Sequence, residues 1–151
     1  MNGSVTLSNS FRWSEHSIRR RVQFHETDAA GIVHFSCFFR YMEEAEHALW
    51  REAGLSIARA AAGVEFPRVA AGFEFQRPLR FEDEFDITIR IVAIHEKTIR
   101  YACLVTLGDE PIATGTLTII CVTRGAGDAM KAAPIPIEIA SRFEIAAGTG
   151  S

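Results

Sequence analysis

Asp28 lies in the segment FHETDAAGIVHFSCFFRYMEEAE (24–46), a short acidic loop and small residues set directly before a proline-free stretch of helical periodicity. That arrangement points to chemistry on an electrophilic carbonyl. A helix start leaves backbone N–H groups without intrahelical acceptors and carries a partial positive charge, so it can hold an oxyanion. A carboxylate a few residues upstream can serve as base or nucleophile toward the same carbon. Asp28 also has a purely structural reading, because aspartate is common as an N-cap or turn residue before helices.

Other groups in the same stretch suggest other chemistries. His34 opens the helix, where the positive end of the dipole favours a neutral, orienting imidazole over a cation. Cys37 lies one turn later, so a Cys–His pair is conceivable, although no third group to orient it is identifiable. Glu44 and His47 form Glu-x-x-His, a spacing used by di-iron carboxylate sites, but such a centre needs a second copy that this chain lacks. A solvated polar helix face is the simpler reading, and no metal or cofactor is expected.

The elements that must position these groups follow from periodicity. Alternation over Ile18–His25, with Val22 and Phe24 on one side, predicts a half-buried strand. Phe38, Tyr41, Met42, Ala45, Leu49 and Ala53 recur at helical spacing against Arg40, Glu43, Glu44, His47 and Arg51, and Gly54 supplies a stop. An Ala-rich segment to Gly63 reads as a helical turn. Strands are expected near Val69–Gln76, over Phe85–Ala93 and Ile99–Leu107 as a hairpin about HEKT, and over Ile112–Thr123. Gly125–Ala133 reads as a linker, and IEIASRF after Pro134 and Pro136 as a short helix.

The totals fit one domain. The chain has 151 residues, 48% of them hydrophobic, and a formal charge of −3, which offers no basic excess for nucleic acid. Residues 1–16 read as a loose arm, 17–145 as the folded domain and 146–151 as a flexible tail. Cys37, Cys103 and Cys121 lack zinc-like spacing, and there is neither a signal-peptide pattern nor an apolar run long enough to span a membrane, so a cytoplasmic location is expected. One helix beside roughly five antiparallel strands is an α+β architecture with an outer sheet face to cover, for which a homodimer or homotetramer is the expected remedy.

The run ETDAAGIVHFSCFFRYMEEAE resembles the signature of hotdog-fold acyl-CoA thioesterases of the 4-hydroxybenzoyl-CoA thioesterase branch, in which Asp-x-x-Gly-Ile/Val-Val precedes the central helix. Val69–Pro78, the strand pair, ATGTLTIICV and the PIPIEI tail follow in the same order, so the likeness covers roughly residues 18 to 140. It implies a sheet wrapped around one long helix, dimers joined sheet edge to sheet edge and commonly paired into tetramers, and active sites at subunit interfaces. It implies further that Asp28 is the catalytic carboxylate, that the Phe35 backbone N–H polarises the thioester carbonyl, and that Gly31 lets the chain pass close to the substrate. Glu43 matches the family's helix glutamate, which can hydrogen-bond the Asp28 loop; because other hotdog branches carry their acid on the helix, Glu43 is also the rival carboxylate. Two departures stand out. Some bacterial members carry His at the position of Phe35, one place after His34, and Cys37 replaces an asparagine.

The implied substrate is an acyl-CoA. Phe38, Phe39 and Phe73 are candidates for the acyl pocket, and Arg77, Lys97, Arg100 and Arg124 for the coenzyme A phosphates. Two alternatives belong to other classes. A dehydratase of 3-hydroxyacyl thioesters would use His34 with Glu43, and a non-enzymatic acyl-CoA binding module would need no Asp28.

Overall fold

The computed structural model describes residues 11–61 and 63–148. The alternating segments form β1 (Glu15–Arg21), β2 (Arg68–Phe75), β3 (Glu84–Ile94), β4 (Thr98–Leu107) and β5 (Glu110–Ile120), and the helical segment forms α1 (Cys37–Glu52). The strands make one five-stranded antiparallel sheet in the order β1-β3-β4-β5-β2. Phe85, Ile87, Ile89 and Ile91 on β3 and Ile99, Tyr101 and Val105 on β4 are at most 1% exposed, all on the face that meets the helix. From α1 the apolar stripe Phe38, Tyr41, Met42, Ala45 and Leu49 is buried against them, as the 3.6-residue period requires. Fully burying such a side chain contributes about 1.5–3 kcal/mol, so the helix is held by this stripe more than by propensity. The result is the α+β hotdog architecture that the motif implies.

Several boundaries differ from the sequence expectation, each for a local reason. β1 begins earlier, at Glu15, and ends at Arg21, because the chain then tightens into a 3₁₀ turn over Phe24–Glu26. That turn breaks the alternation, and Phe24 is 74% exposed rather than inward. Residues 11–16 are not a loose arm, since Trp13 bridges to Phe143 and donates its N–H to the Arg142 carbonyl; residues 1–10 lie outside the described part. The Ala-rich segment after Gly54 forms turns and bends instead of helix. Past β5, Val122–Arg124 (β6) pairs with Met130–Ala132 (β7), so the expected linker is a small hairpin. A short helix α2 (Ile137–Ala140) follows the prolines. The start of the presumed tail is held, because Ala146 is buried and donates to the Ile91 carbonyl.

β2 is an edge strand. It pairs with β5 on one side only among the described residues, and its Val69 and Phe75 are 57% and 49% exposed. The side of the sheet away from α1 presents a broad concavity of about 790 Å³ lined by Thr88, Arg90, Ala102, Leu104, Thr114 and Thr116. It contains neither Asp28 nor the helix start. No described helix is long and apolar enough to cross a membrane.

Candidate active site

The loop between β1 and α1 is a tight hairpin that aims Asp28. Thr27 and Val33 form an antiparallel bridge, the Asp28 N–H donates to the Ile32 carbonyl at 2.8 Å, and the Gly31 N–H to the Asp28 carbonyl at 2.9 Å. Reversing the chain in so few residues puts Gly31 at φ +80°, a region that costs an L-residue strain. A Cβ there would meet nothing within 4 Å, so the space beside Gly31 is open. The turn reading of Asp28 has a direct basis in the loop. Its Oδ1 accepts the Ala30 N–H at 2.8 Å and the Ile32 N–H at 3.4 Å, the turn role, while Oδ2 accepts no hydrogen bond from any described residue.

Asp28 lines a cleft of about 380 Å³ together with Val33, Phe35, Phe38, Phe75, Arg77 and Leu79, among others. The helix start opens into the same space. The N–H groups of Cys37, Phe38 and Phe39 are already satisfied by the carbonyls of His34, Phe35 and Ser36. The Phe35 N–H finds no acceptor among the described residues, and no acidic residue sits in the first turn to neutralise the dipole. A carboxylate oxygen and an unpaired amide near a positive helix end, on two residues that line one cleft, are the parts needed to add an oxygen nucleophile to a carbonyl.

The remaining candidates separate cleanly. His34 does not line the cleft. Its Nδ1 accepts the Ser36 N–H at 3.2 Å and lies 2.8 Å from Ser36 Oγ, and its ring stacks on Phe35 at 4.6 Å, so it braces the helix start. Glu43 does not reach the Asp28 loop. It is bound by Arg68 of β2 at 2.9 Å, beside a separate cavity of about 180 Å³ that Phe39 also lines. Phe39 is thereby removed from the Asp28 cleft. Phe73 lies behind the cleft wall, its ring 5.8 Å from Phe38 and 5.9 Å from Phe75, and it fills the space over Gly115, where an added Cβ would meet it at 2.7 Å.

Arg77 is at the cleft, ion-paired with Glu110 at 2.8 Å. Lys97 and Arg100 lie toward the other end of the same sheet: Arg100 pairs with Thr118, whereas the cleft residue Phe75 pairs with Ala113. Arg124 is committed to Glu65. Cys37 gives no nucleophile, because burial and the nearby Glu26 push its thiol up, and its Sγ donates to the Glu26 carbonyl. Glu44 pairs with Arg20, His47 leans on Arg68, and no group of metal-ligating side chains is found among the described residues.

Sequence reasoning missed two groups of residues. Phe75 at the end of β2 and Gln76, Pro78 and Leu79 in the loop beyond it wall the cleft, and only the fold brings them to the helix start. Glu26, read as part of an acidic loop, is 7% exposed and bonded on every side. The one local signal for it was the Gln23-x-x-Glu26 spacing, in which a carboxylate returns to cap the N–H three residues earlier.

Comparison with known proteins gives the family and the fold. Residues 22–143 match the family model described as the thioesterase-like superfamily. A protein of Aquifex aeolicus (strain VF5), described as a "putative esterase", is 34% identical over 122 residues, covering 80% of this chain and 91% of its own. The structure of a gentisyl-coenzyme A thioesterase superposes with a TM-score of 0.74 at 27% identity, covering 83% of this chain and 99% of that one. A 4-hydroxybenzoyl-CoA thioesterase shares the fold, with a TM-score of 0.75 at 19% identity over 85% of this chain and 99% of that one.

Proposed function

The chain belongs to the thioesterase-like superfamily and is a thioester hydrolase of hotdog fold, and from that premise we propose that its substrate is an acyl-CoA and its catalytic carboxylate Asp28. The observation that carries the reading is the meeting of Asp28 and the unpaired Phe35 N–H on one apolar cleft. A thioester carbonyl seated there has its oxygen on the Phe35 amide and its carbon within reach of Asp28. As general base, Oδ2 takes a proton from a water that adds to the carbon; as nucleophile, it forms an acyl-enzyme anhydride that water then cleaves. In either route the oxyanion rests on the Phe35 N–H, the tetrahedral intermediate expels the thiolate, and the products are a carboxylic acid and free coenzyme A. Neither route calls on a cofactor.

Phe35, Phe38 and Phe75 around the cleft favour a flat acyl group, since aromatic rings gain from edge-to-face contacts with one another. The relatives named for gentisyl- and 4-hydroxybenzoyl-CoA support the same preference. We take the working unit to be a homodimer joined through the open edge of β2, with the homotetramer as its further assembly. Antiparallel pairing of two β2 edges would carry the far end of one sheet, with Lys97 and Arg100, toward the cleft of the other, where Arg77 already stands. Those cations would then meet the coenzyme A phosphates.

The dehydratase alternative loses its pair, because Glu43 is held by Arg68 and His34 by Ser36. A non-catalytic binding module is set aside by membership of a thioesterase family. The test is thiol release from a panel of aromatic, short, branched and long acyl-CoA esters. Aryl esters turned over with the highest kcat/KM are expected, and absence of thiol release from every member would overturn the reading.

A further inference from the structure

Resting on that reading, we infer that Glu26 is the positioning residue that fixes the distance between the Asp28 carboxylate and the Phe35 amide. The inference comes from where its two polar ends go. The backbone carbonyl of Glu26 accepts the His34 N–H at 2.8 Å, one residue before the oxyanion donor, and its Cα lies two residues before Asp28. One residue therefore ties both arms of the loop.

Its side chain anchors that tie to the rest of the molecule. Oε1 accepts the Gln23 N–H at 2.8 Å and the Tyr41 hydroxyl at 3.0 Å, and Oε2 accepts Arg20 at 2.9 Å. Arg20 in turn holds Glu44 of α1 at 2.9 Å and lies 4.8 Å over the Tyr41 ring. Loop, β1 and α1 thus converge on one carboxylate, which only an acceptor-only group can satisfy, since every neighbour is a donor. Burial opposes the charge, but the Gln23 amide, Arg20 and Tyr41 together hold the carboxyl below its ordinary value, so it stays ionised at neutral pH. Tyr41, raised by burial and by Glu26, remains a hydroxyl donor. Glu26 does not line the cleft, so it acts through Asp28 and Phe35 and not on substrate.

Glu26→Gln turns an amide NH₂ toward a donor and loosens the tie. The expected result is a fall in kcat of about 10- to 100-fold, the scale of a small misplacement of reacting groups, with KM within about threefold. In an Asp28→Asn background the same substitution should cost less than about threefold, because the spacing no longer serves a base. Hydrogen exchange at the His34 amide should speed up in Glu26→Gln. Tyr41→Phe removes a single donor and should lower kcat by about 3- to 10-fold, which carries the test if Glu26→Gln does not fold. Wild-type kcat in Glu26→Gln, or an equal loss with and without Asp28, would overturn the inference while leaving the thioesterase reading intact. A wild-type protein inactive on every thioester would overturn both.

Discussion

The two ends of α1 are built on opposite plans. Toward the C-terminal end the buried polar groups have partners: Glu46, fully buried, is bridged by Arg68, Tyr101 accepts the Trp50 indole N–H at 3.0 Å, and Arg142 donates to the Ala53 carbonyl. At the N-terminal end the Phe35 N–H and one oxygen of Asp28 are left without protein partners among the described residues, and the first turn carries no acid. Phe35 is 61% exposed and Asp28 is half-buried, so both groups are open to water and to a ligand that replaces it. The comparison teaches that one end of the helix is closed by its own chain while the other is left open to a ligand.

Each end also contains a buried carboxylate, and the two behave oppositely. Glu26 is drawn below its ordinary value by its donors in spite of burial, while burial lifts Glu46 above its ordinary value in spite of Arg68. A loop carboxylate with three donors from separate elements outweighs desolvation; a fully buried helix carboxylate beside Arg68 and Tyr101 does not.

The largest stability effect expected is at the closed end. Arg68→Met strips Glu46 of its counter-ion and should cost about 3–5 kcal/mol, seen as a fall in Tm of about 10 °C or more. That loss should shrink in acid, where Glu46 takes up a proton. At the open end, Gly31→Ala imposes strain of about 1–2 kcal/mol at φ +80° and adds a methyl group beside Asp28. It should therefore reduce kcat much more than Arg68→Met while lowering Tm less, and the reverse order would break the contrast between the ends.

Titration sharpens the comparison. The Glu26 carboxyl is lowered on folding, so its contribution is present above the unfolded value of about 4.3 and is lost as pH falls through the folded value. The Glu46 carboxyl is raised, so its contribution is present below about 4.3 and is lost as pH rises through the folded value. Denaturant midpoints measured on both sides of about pH 4.3 should therefore diverge: Glu26→Gln loses ground against wild type as pH rises toward that value, and Glu46→Gln gains it as pH rises beyond. The smallest effect belongs to neither end. Arg21 and Glu84 form an exposed pair, and Arg21→Ala should leave Tm within about 2 °C.

Much of this contrast was legible before the fold was known, and the rest was hidden for identifiable reasons. Asp28 and the helix start declared themselves because both lie in one short stretch, and the α1 stripe and the β3–β4 pair because their periods are local. Glu46 looked like one more charge among Glu43, Glu44 and His47; its burial depends on Arg68 and Tyr101, far away in the chain. The resemblance offers Glu43 as a hydrogen-bond partner of the Asp28 loop, but Arg68 holds it, and the carboxylate bonded within that loop is Glu26. The cleft wall from Phe75 to Leu79 and the placement of Lys97 and Arg100 follow from strand order, which alternation alone does not determine. The β6–β7 hairpin was lost in a segment whose Gly and Ala content carries no period.

The central claim, that Asp28 is the catalytic carboxylate, is tested most directly by kcat for thiol release from the best acyl-CoA ester with Asp28→Asn, its fold checked by circular dichroism. A fall of about 10²- to 10⁴-fold at unchanged secondary structure is expected for loss of a positioned acid–base group. A rate within about threefold of wild type would contradict it.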